Sequence, residues 1–452
     1  MRRNVLVERL ERYREEPAVI WRGAEYSYGW LLERAAAYAE RLGRAGVERT
    51  TAALEGDYSP YAIAALTALL GQAAVVVPLD AKLIDAKKEE ALRTAEAEFL
   101  VTADEAGLTV KPAGFGPVRH PLLVSLKASG SPGVVIFTSG TTGRSKAAVH
   151  DADRLLGKYA RPGRALRTIP FIMFDHIGGL NTMLQTLAAG GCLCIVEDRS
   201  PAEVCRTIEK HRVQALPVSP TFMNLLLLSG ADREYDLSSL EAVSYGSEVM
   251  PASTLAAWNE RFPNVRTVQA YGMSELGILR TKSKASNSLL IALGGDETAV
   301  RIVDGLLEIK TETAMLGYLN APNPFTADGW LQTGDMAEAE GEFIRILGRR
   351  SDLINVGGEK VYPAEVESVL QMIDNIAEAA VSGEPNGITG QLVKAVVRLN
   401  REESLPELRG RIWAFCRDKL PAYKIPRKIV IATEPLAGDR LKKMRGVVNN
   451  PL

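Results

Sequence analysis

From Tyr61 to Leu79 the chain reads YAIAALTALLGQAAVVVPL, without a single charge. An apolar run of that length could cross a bilayer. Gly71-Gln72, however, divides it into two halves of different composition. The Ala/Leu half suits a helix, and AAVVVPLD suits a strand buried on both faces of a parallel sheet. No membrane span is therefore expected. A helix feeding a buried strand is the repeating unit of an α/β sheet, and that choice governs the rest of the fold.

The alternation recurs. AEVCRTIEKHRVQALPVSP reads as helix then strand, SSLEAVSYGSEVM as strand then glycine turn, and PASTLAAWNERFPNVRTVQAYGMSE as helix, strand and glycine turn. The fold class predicted is α/β, with mostly parallel sheets covered by helices. From about Val300 the pattern changes. VRIVDGLLEIKTETAMLGY and GWLQTGDMAEAEGEFIRILGRRSDLINVGG look like short hairpin strands, read as a small β-barrel-like subdomain. After Gly358 the alternation returns, enough for a small α+β domain. The boundary is placed at Arg349-Arg350-Ser351-Asp352, giving an N-terminal domain over 1–348 and a C-terminal domain over 349–452.

At 452 residues the chain exceeds one ordinary core. Its 54 Lys+Arg against 55 Asp+Glu give no overall drive toward nucleic acid or an anionic membrane. Cys192, Cys194, Cys205 and Cys416 include no C-x-x-C pair, so neither zinc nor a disulfide framework is suggested. The charged start MRRNVLVERLERYREEP lacks the apolar segment of a secretion signal, and a reducing cytoplasm is the expected setting.

Val134 to His150, VVIFTSGTTGRSKAAVH, is the first stretch with chemistry in it. A buried strand leads into five hydroxyl residues, two glycines and a lysine. Glycines permit unusual turns, and hydroxyls and free amides can donate to phosphate oxygens. A P-loop would need G-x-x-x-x-G-K-S/T, and here Arg144 follows Gly143 while Ala147 follows Lys146. A solvated polar turn is the alternative on this stretch alone.

Three further stretches decide between them: YGMSE at Tyr271–Glu275, GWLQTGD ending at Asp335, and GRRSDLINVGGEKVYPAEVE from Gly348. In this order, behind FTSGTTGRSK, they resemble the adenylate-forming superfamily of acyl- and aryl-CoA synthetases, peptide-synthetase adenylation domains and luciferases. The resemblance runs from about Tyr26 to about Arg445. It implies that a carboxylic acid attacks the α-phosphorus of ATP, so no serine, cysteine or general base is needed. Catalysis is then positioning plus neutralisation of phosphoryl charge.

By this resemblance Thr138, Ser139, Gly140, Thr141, Thr142, Gly143 and Lys146 cradle the β- and γ-phosphates. Tyr271 stacks on adenine, flanked by Gly272 and Met273. Ser274 touches the α-phosphate, and Glu275 holds Mg²⁺, an oxygen ligand suited to a hard cation. Asp335 accepts the ribose hydroxyls, and Arg349 contacts the ribose. Taken singly, Asp335 could be a turn residue, Tyr271 strand core, and Glu275 a first-turn acid of a helix. His176 would gate the acyl pocket, with Tyr245, Gly246 and Ser247 beside the acyl group. The catalytic lysine is placed at Lys442, which keeps the K-x-x-R spacing to Arg445, although Leu441 replaces the usual glycine and Lys443 competes. Ser351 stands at the hinge position; the resemblance implies that the C-terminal domain rotates after adenylation, and Gly357-Gly358 would then face a thiol tunnel.

The activity expected is an ATP-dependent ligase forming an acyl-adenylate from a non-amino acid. Transfer would follow to CoA or to the phosphopantetheine of a separate carrier protein, and a homodimer is left open. An amine acceptor or a catalytically lapsed nucleotide-binding protein are the alternatives. His120, His150 and His211 carry no signal.

Overall fold

The computed structural model describes residues 2, 4–138, 145–161, 163–295, 298–438 and 443. Two seven-stranded sheets form its larger part. In one, the parallel strands Gly133–Phe137, Val75–Leu79, Thr51–Glu55 and Phe99–Asp104 lie side by side, with antiparallel strands at both edges. In the other, Arg266–Gln269, Ala242–Tyr245, Ala215–Val218, Arg167–Thr168, Cys192–Cys194 and Pro17–Trp21 run parallel, and Ala24–Ser27 closes the edge as a hairpin.

The uncharged run is accounted for by its place between these layers. Helix Pro60–Gly71 is buried on every side. Its apolar cluster also holds Leu54, Val76 and Ile136 of the first sheet and Val19 and Leu193 of the second. A helix apolar all round can only be a core helix or a membrane span. Ser59 starts it by accepting from the Ala62 N–H, and Pro60 occupies the first turn, where its missing N–H costs nothing. Each fully buried Leu or Ile contributes about 1.5–3 kcal/mol relative to exposure. No helix among the described residues is long and apolar enough to cross a membrane.

The hairpin region is a six-stranded sheet, its neighbours antiparallel, that begins earlier than expected, at Thr281–Ser283. Its edge strands, Thr281–Ser283 and Thr298–Val303, are not hydrogen-bonded to each other. The expected barrel-like subdomain is therefore an open sheet. Beyond Arg349 a second unit builds its own core, with Ile354, Val366, Leu370, Val381, Ala395 and Ile412 buried together. No apolar cluster of the described residues spans Arg349.

Candidate nucleotide and acyl site

A cleft of about 2730 Å³ runs between the two seven-stranded sheets, the open sheet and the C-terminal unit. Residues expected to bind nucleotide and acid converge on it from distant parts of the chain.

The hydroxyl- and glycine-rich stretch lies between two antiparallel strands, Gly133–Phe137 and Ala147–Asp151. Its base is closed by Thr138, whose N–H donates to the Lys146 carbonyl at 2.8 Å and whose Oγ1 accepts from the Lys146 N–H at 3.2 Å. Ser139, Gly140, Thr141, Thr142 and Gly143 lie outside the described residues. Ala147 is buried strand without a positive φ, so its methyl is tolerated there. Asn320 clamps this end of the loop, accepting from the Ala147 N–H at 2.9 Å and donating to the Ser145 carbonyl at 2.9 Å.

Glu275 sits in the turn of a tight hairpin, Gly272–Met273 with Gly277–Ile278, which excludes the helix-start alternative. Gly272 is demanded by that hairpin, because a Cβ there would lie 2.5 Å from the Gly277 carbonyl. The Tyr318 hydroxyl donates to Glu275 Oε1, and the Lys146 ammonium stands 5.2 Å from the Tyr318 ring centre. A cation, an aromatic ring and a carboxylate thus line up beside the cleft. Among the described residues no cluster of three or more His, Cys, Asp or Glu could cage a metal. One carboxylate fits Mg²⁺, which keeps waters and substrate phosphate oxygens as its other ligands. His150 holds the same hairpin from behind. Its Nε2 lies 2.6 Å from the Ser274 carbonyl, which can only accept, so Nε2 carries the proton. Burial lowers its pKa to about 4.

Asp335 is not a turn residue. It lies within strand Leu331–Glu340, directly opposite Arg349 on Phe343–Arg349. Arg349 Nε donates to Oδ1 at 2.9 Å and the Tyr271 hydroxyl to Oδ2 at 2.6 Å. Burial raises the Asp335 pKa, and Arg349 opposes the rise. Tyr271 packs with Leu276 and Leu279 in the core and also borders the cleft, so its core and ligand readings are compatible.

On the acyl side, His176 starts helix Ile177–Ala188, its Nδ1 accepting from the Gly178 N–H at 3.0 Å. The ring therefore has a structural task at the cleft wall, and gating is not required to explain it. Tyr245 ends its strand at the cleft, but its ring belongs to the core, with the hydroxyl 3.3 Å from Gln269 Oε1. Gly246 passes close to the next strand, where a Cβ would meet the Ala270 carbonyl at 3.0 Å. Ser247 holds a left-handed φ of 73°, a strained conformation of the kind found at ligand sites.

The remaining expected sites follow Arg349 in the chain. Gly357 and Gly358, at φ 63° and 95°, make the two-residue turn between strands Ile354–Val356 and Glu359–Val361 and do not line the cleft. Ser351 lies in a single 3₁₀ turn at the cleft rim, its hydroxyl donating to Asp352 at 3.0 Å. Lys442 lies outside the described residues. Lys443 is committed elsewhere: its ammonium pairs with buried Glu367 at 2.9 Å. Residues with no local signal also reach the site, namely Tyr318, Asn320, His150 and Lys158.

The chain belongs to the AMP-binding enzyme family, whose model matches residues 6–319, and the model of the family's C-terminal domain matches residues 365–443. It is 31% identical over 315 residues to a methyl-dioxo-octahydroindenyl propanoyl:CoA ligase of Mycobacterium tuberculosis, covering 65% of this chain and 61% of that protein. It is 30% identical over 322 residues to a long-chain-fatty-acid–CoA ligase of Bacillus subtilis, covering 65% and 57%. The chain thus spans about three fifths of the length of these relatives. A feruloyl-CoA synthase of Amycolatopsis sp is 28% identical over 90% of both chains. The fold matches an anthranilate CoA ligase in complex with anthranoyl-AMP at a TM-score of 0.82 and 20% identity, over 98% of this chain and 96% of that one. An amide bond synthetase from Marinactinospora thermotolerans matches at 0.78 and 23% identity, over 95% of both.

Proposed function

We propose that this chain is an AMP-forming acid–thiol ligase. A carboxylate oxygen of the acid bonds to the α-phosphorus of ATP, the bond to the bridging oxygen breaks, and pyrophosphate leaves. A thiol then bonds to the acyl carbon and AMP leaves. The thiol belongs to CoA or to the phosphopantetheine of a separate carrier protein. The observation that carries this reading is the buried Asp335 carboxylate. It is held by Tyr271 and Arg349 in the same cleft as the Lys146–Tyr318–Glu275 line. One group of residues suits a ribose and the other a polyphosphate, while the strained Ser247 and helix-capping His176 border the space left for the acid.

In this reading Asp335 and Arg349 hold the ribose and Tyr271 borders the adenine. Glu275 would hold Mg²⁺, which when bound neutralises phosphate charge. Lys146 and the 138–143 loop hold the leaving phosphates, and Gly246 and Ser247 border the acyl group. The unit with its own core beyond Arg349 acts as a cap that pivots near Ser351. Its separate apolar core supports this. So do the few polar links to the larger part among the described residues, such as Asn224 Nδ2 to the Ala377 carbonyl at 3.2 Å and the Ser253 N–H to Ser368 Oγ at 3.1 Å. The pairing of Lys443 with Glu367 supports Lys442 as the lysine delivered to the phosphates. Gly357 and Gly358 reach a thiol only after rotation. The chain works in the cytoplasm.

The test is a panel of carboxylic acids assayed for AMP with and without CoA. AMP formation that requires an acid, with thioester when CoA is present, is the expected result. Acid-dependent AMP with amide but no thioester from any thiol would move the acceptor to an amine. ADP in place of AMP would overturn the reading.

A further inference from the structure

Lys158 is a buried cation at the cleft that the proposed reaction does not use. It follows helix Ala152–Gly157 and lines the cleft. Its ammonium donates to Asn181 Oδ1 at 2.6 Å and to the Ile278 carbonyl at 3.1 Å. Asn181 Oδ1 is held in place by a second donor, the Tyr159 hydroxyl at 2.9 Å. No carboxylate of the described residues pairs with Lys158, whose ammonium stands 4.9 Å from the Tyr159 ring centre, and burial lowers its pKa to about 7. An ammonium has three N–H donors, and two are taken by neutral oxygens. A cation withdrawn from water without a counter-ion is costly, and such groups cluster where a ligand supplies the missing charge.

The surroundings support a polar acyl group. Helix Ile177–Ala188 turns Gly178, Asn181, Thr182 and Gln185 toward the cleft, at the i, i+3, i+4, i+7 spacing of one helical face. Two of these side chains already bond within the helix, Thr182 Oγ1 to the Gly178 carbonyl at 2.9 Å and Asn181 Nδ2 to Gln185 Oε1 at 3.4 Å, so the face is polar and ordered before any acid binds. Arg280, next to Ile278 and Leu279, lines the same cleft and adds positive charge.

We infer that Lys158 and Asn181 form a subsite for a second carboxylate, so that the acid activated here is a dicarboxylic acid. The inference rests on the proposed ligase reading for the place of the reacting carboxylate, at the start of this helix beside His176. Asn181 lies five residues further along, about 7.5 Å at the helical rise, which suits a spacer of roughly four to six carbons or one aromatic ring. The acid's distal carboxylate accepts from the remaining N–H of Lys158. No bond is made or broken there; the subsite selects and orients.

The experiment compares diacids with their monomethyl esters at matched length, using wild type, Lys158→Met and Lys158→Gln. Two readouts are taken: calorimetric binding of each acid, and pyrophosphate release with ATP. Wild type is expected to favour the diacid by tenfold or more in both, and both variants to lose that preference while handling the ester as well as wild type does. Two variants guard against a fold defect in one, and thermal unfolding checks each. An unchanged diacid-to-ester ratio in the variants, or no preference in wild type, overturns the subsite. Lys158-dependent diacid binding without pyrophosphate release keeps the subsite and overturns the ligase reading.

Discussion

Replacing Asp335 with alanine removes the group on which the nucleotide reading depends. Each carboxylate oxygen already accepts one bond in the folded protein, Oδ1 from Arg349 and Oδ2 from Tyr271. A carboxylate has about four acceptor positions, so one remains on each oxygen for the two ribose hydroxyls. Hydrogen bonds to a charged acceptor contribute about 1.5–3 kcal/mol each. Losing both weakens ATP by about 3–6 kcal/mol, or about 10²- to 10⁴-fold. Asp335→Asn is the informative control. Its amide oxygen has to face Arg349, which cannot accept, and its NH₂ then faces the Tyr271 hydroxyl, which can. One acceptor position survives, so the loss is about half as large in free energy, roughly 10- to 10²-fold. The assay is ATP affinity by calorimetry alongside the ATP dependence of pyrophosphate release. If both variants stay within about threefold of wild type, Asp335 is a strand residue paired with Arg349 and nothing more.

Three other outcomes are expected. Glu275→Gln lowers adenylation by about two decades or more at limiting Mg²⁺, because charge neutralisation on the phosphates is a major contribution; unchanged AMP formation would remove the carboxylate from that role. Lys442→Ala abolishes acyl-AMP formation but leaves thioester formation from supplied acyl-AMP nearly intact, and equal impairment of both halves would contradict a pivoting cap. His150 has a folded pKa of about 4 against an ordinary 6.5, so the unfolded chain takes up the proton first as pH falls. Its contribution to stability is complete above pH 6.5 and lost on the way down to about 4. The stability gap between wild type and His150→Leu, read by urea unfolding, should therefore narrow over that window, and a pH-independent gap would refute the assignment.

Much of the fold was legible because its signals are local. The split of 61–79 at Gly71-Gln72 marked a helix and a strand, and burial between two sheets explains why neither half carries a charge. What escaped depends on contacts between distant segments. Tyr318 acquires meaning from Glu275, 43 residues away, and Asn320 from Ala147, 173 residues away. Lys158 reads as an ordinary surface lysine until Asn181 and Ile278 close over it. Whether the hairpin region closes into a barrel turns on one pairing between edge strands, which no local pattern encodes. The glycines at 357 and 358 are a different case. Gly-Gly between two short strands is a hairpin signal in its own right, and both glycines take the positive φ of that turn.

The measurement closest to the central claim is the exchange of radiolabelled pyrophosphate into ATP. Reversible formation of an enzyme-held acyl-adenylate carries label into ATP only when a usable acid is present, needs no thiol, and fails in Asp335→Ala. That pattern is the expected one, with a dicarboxylic acid giving the fastest exchange. Label entering ATP equally well without any acid, or phosphate release with no exchange for any acid, would contradict the account.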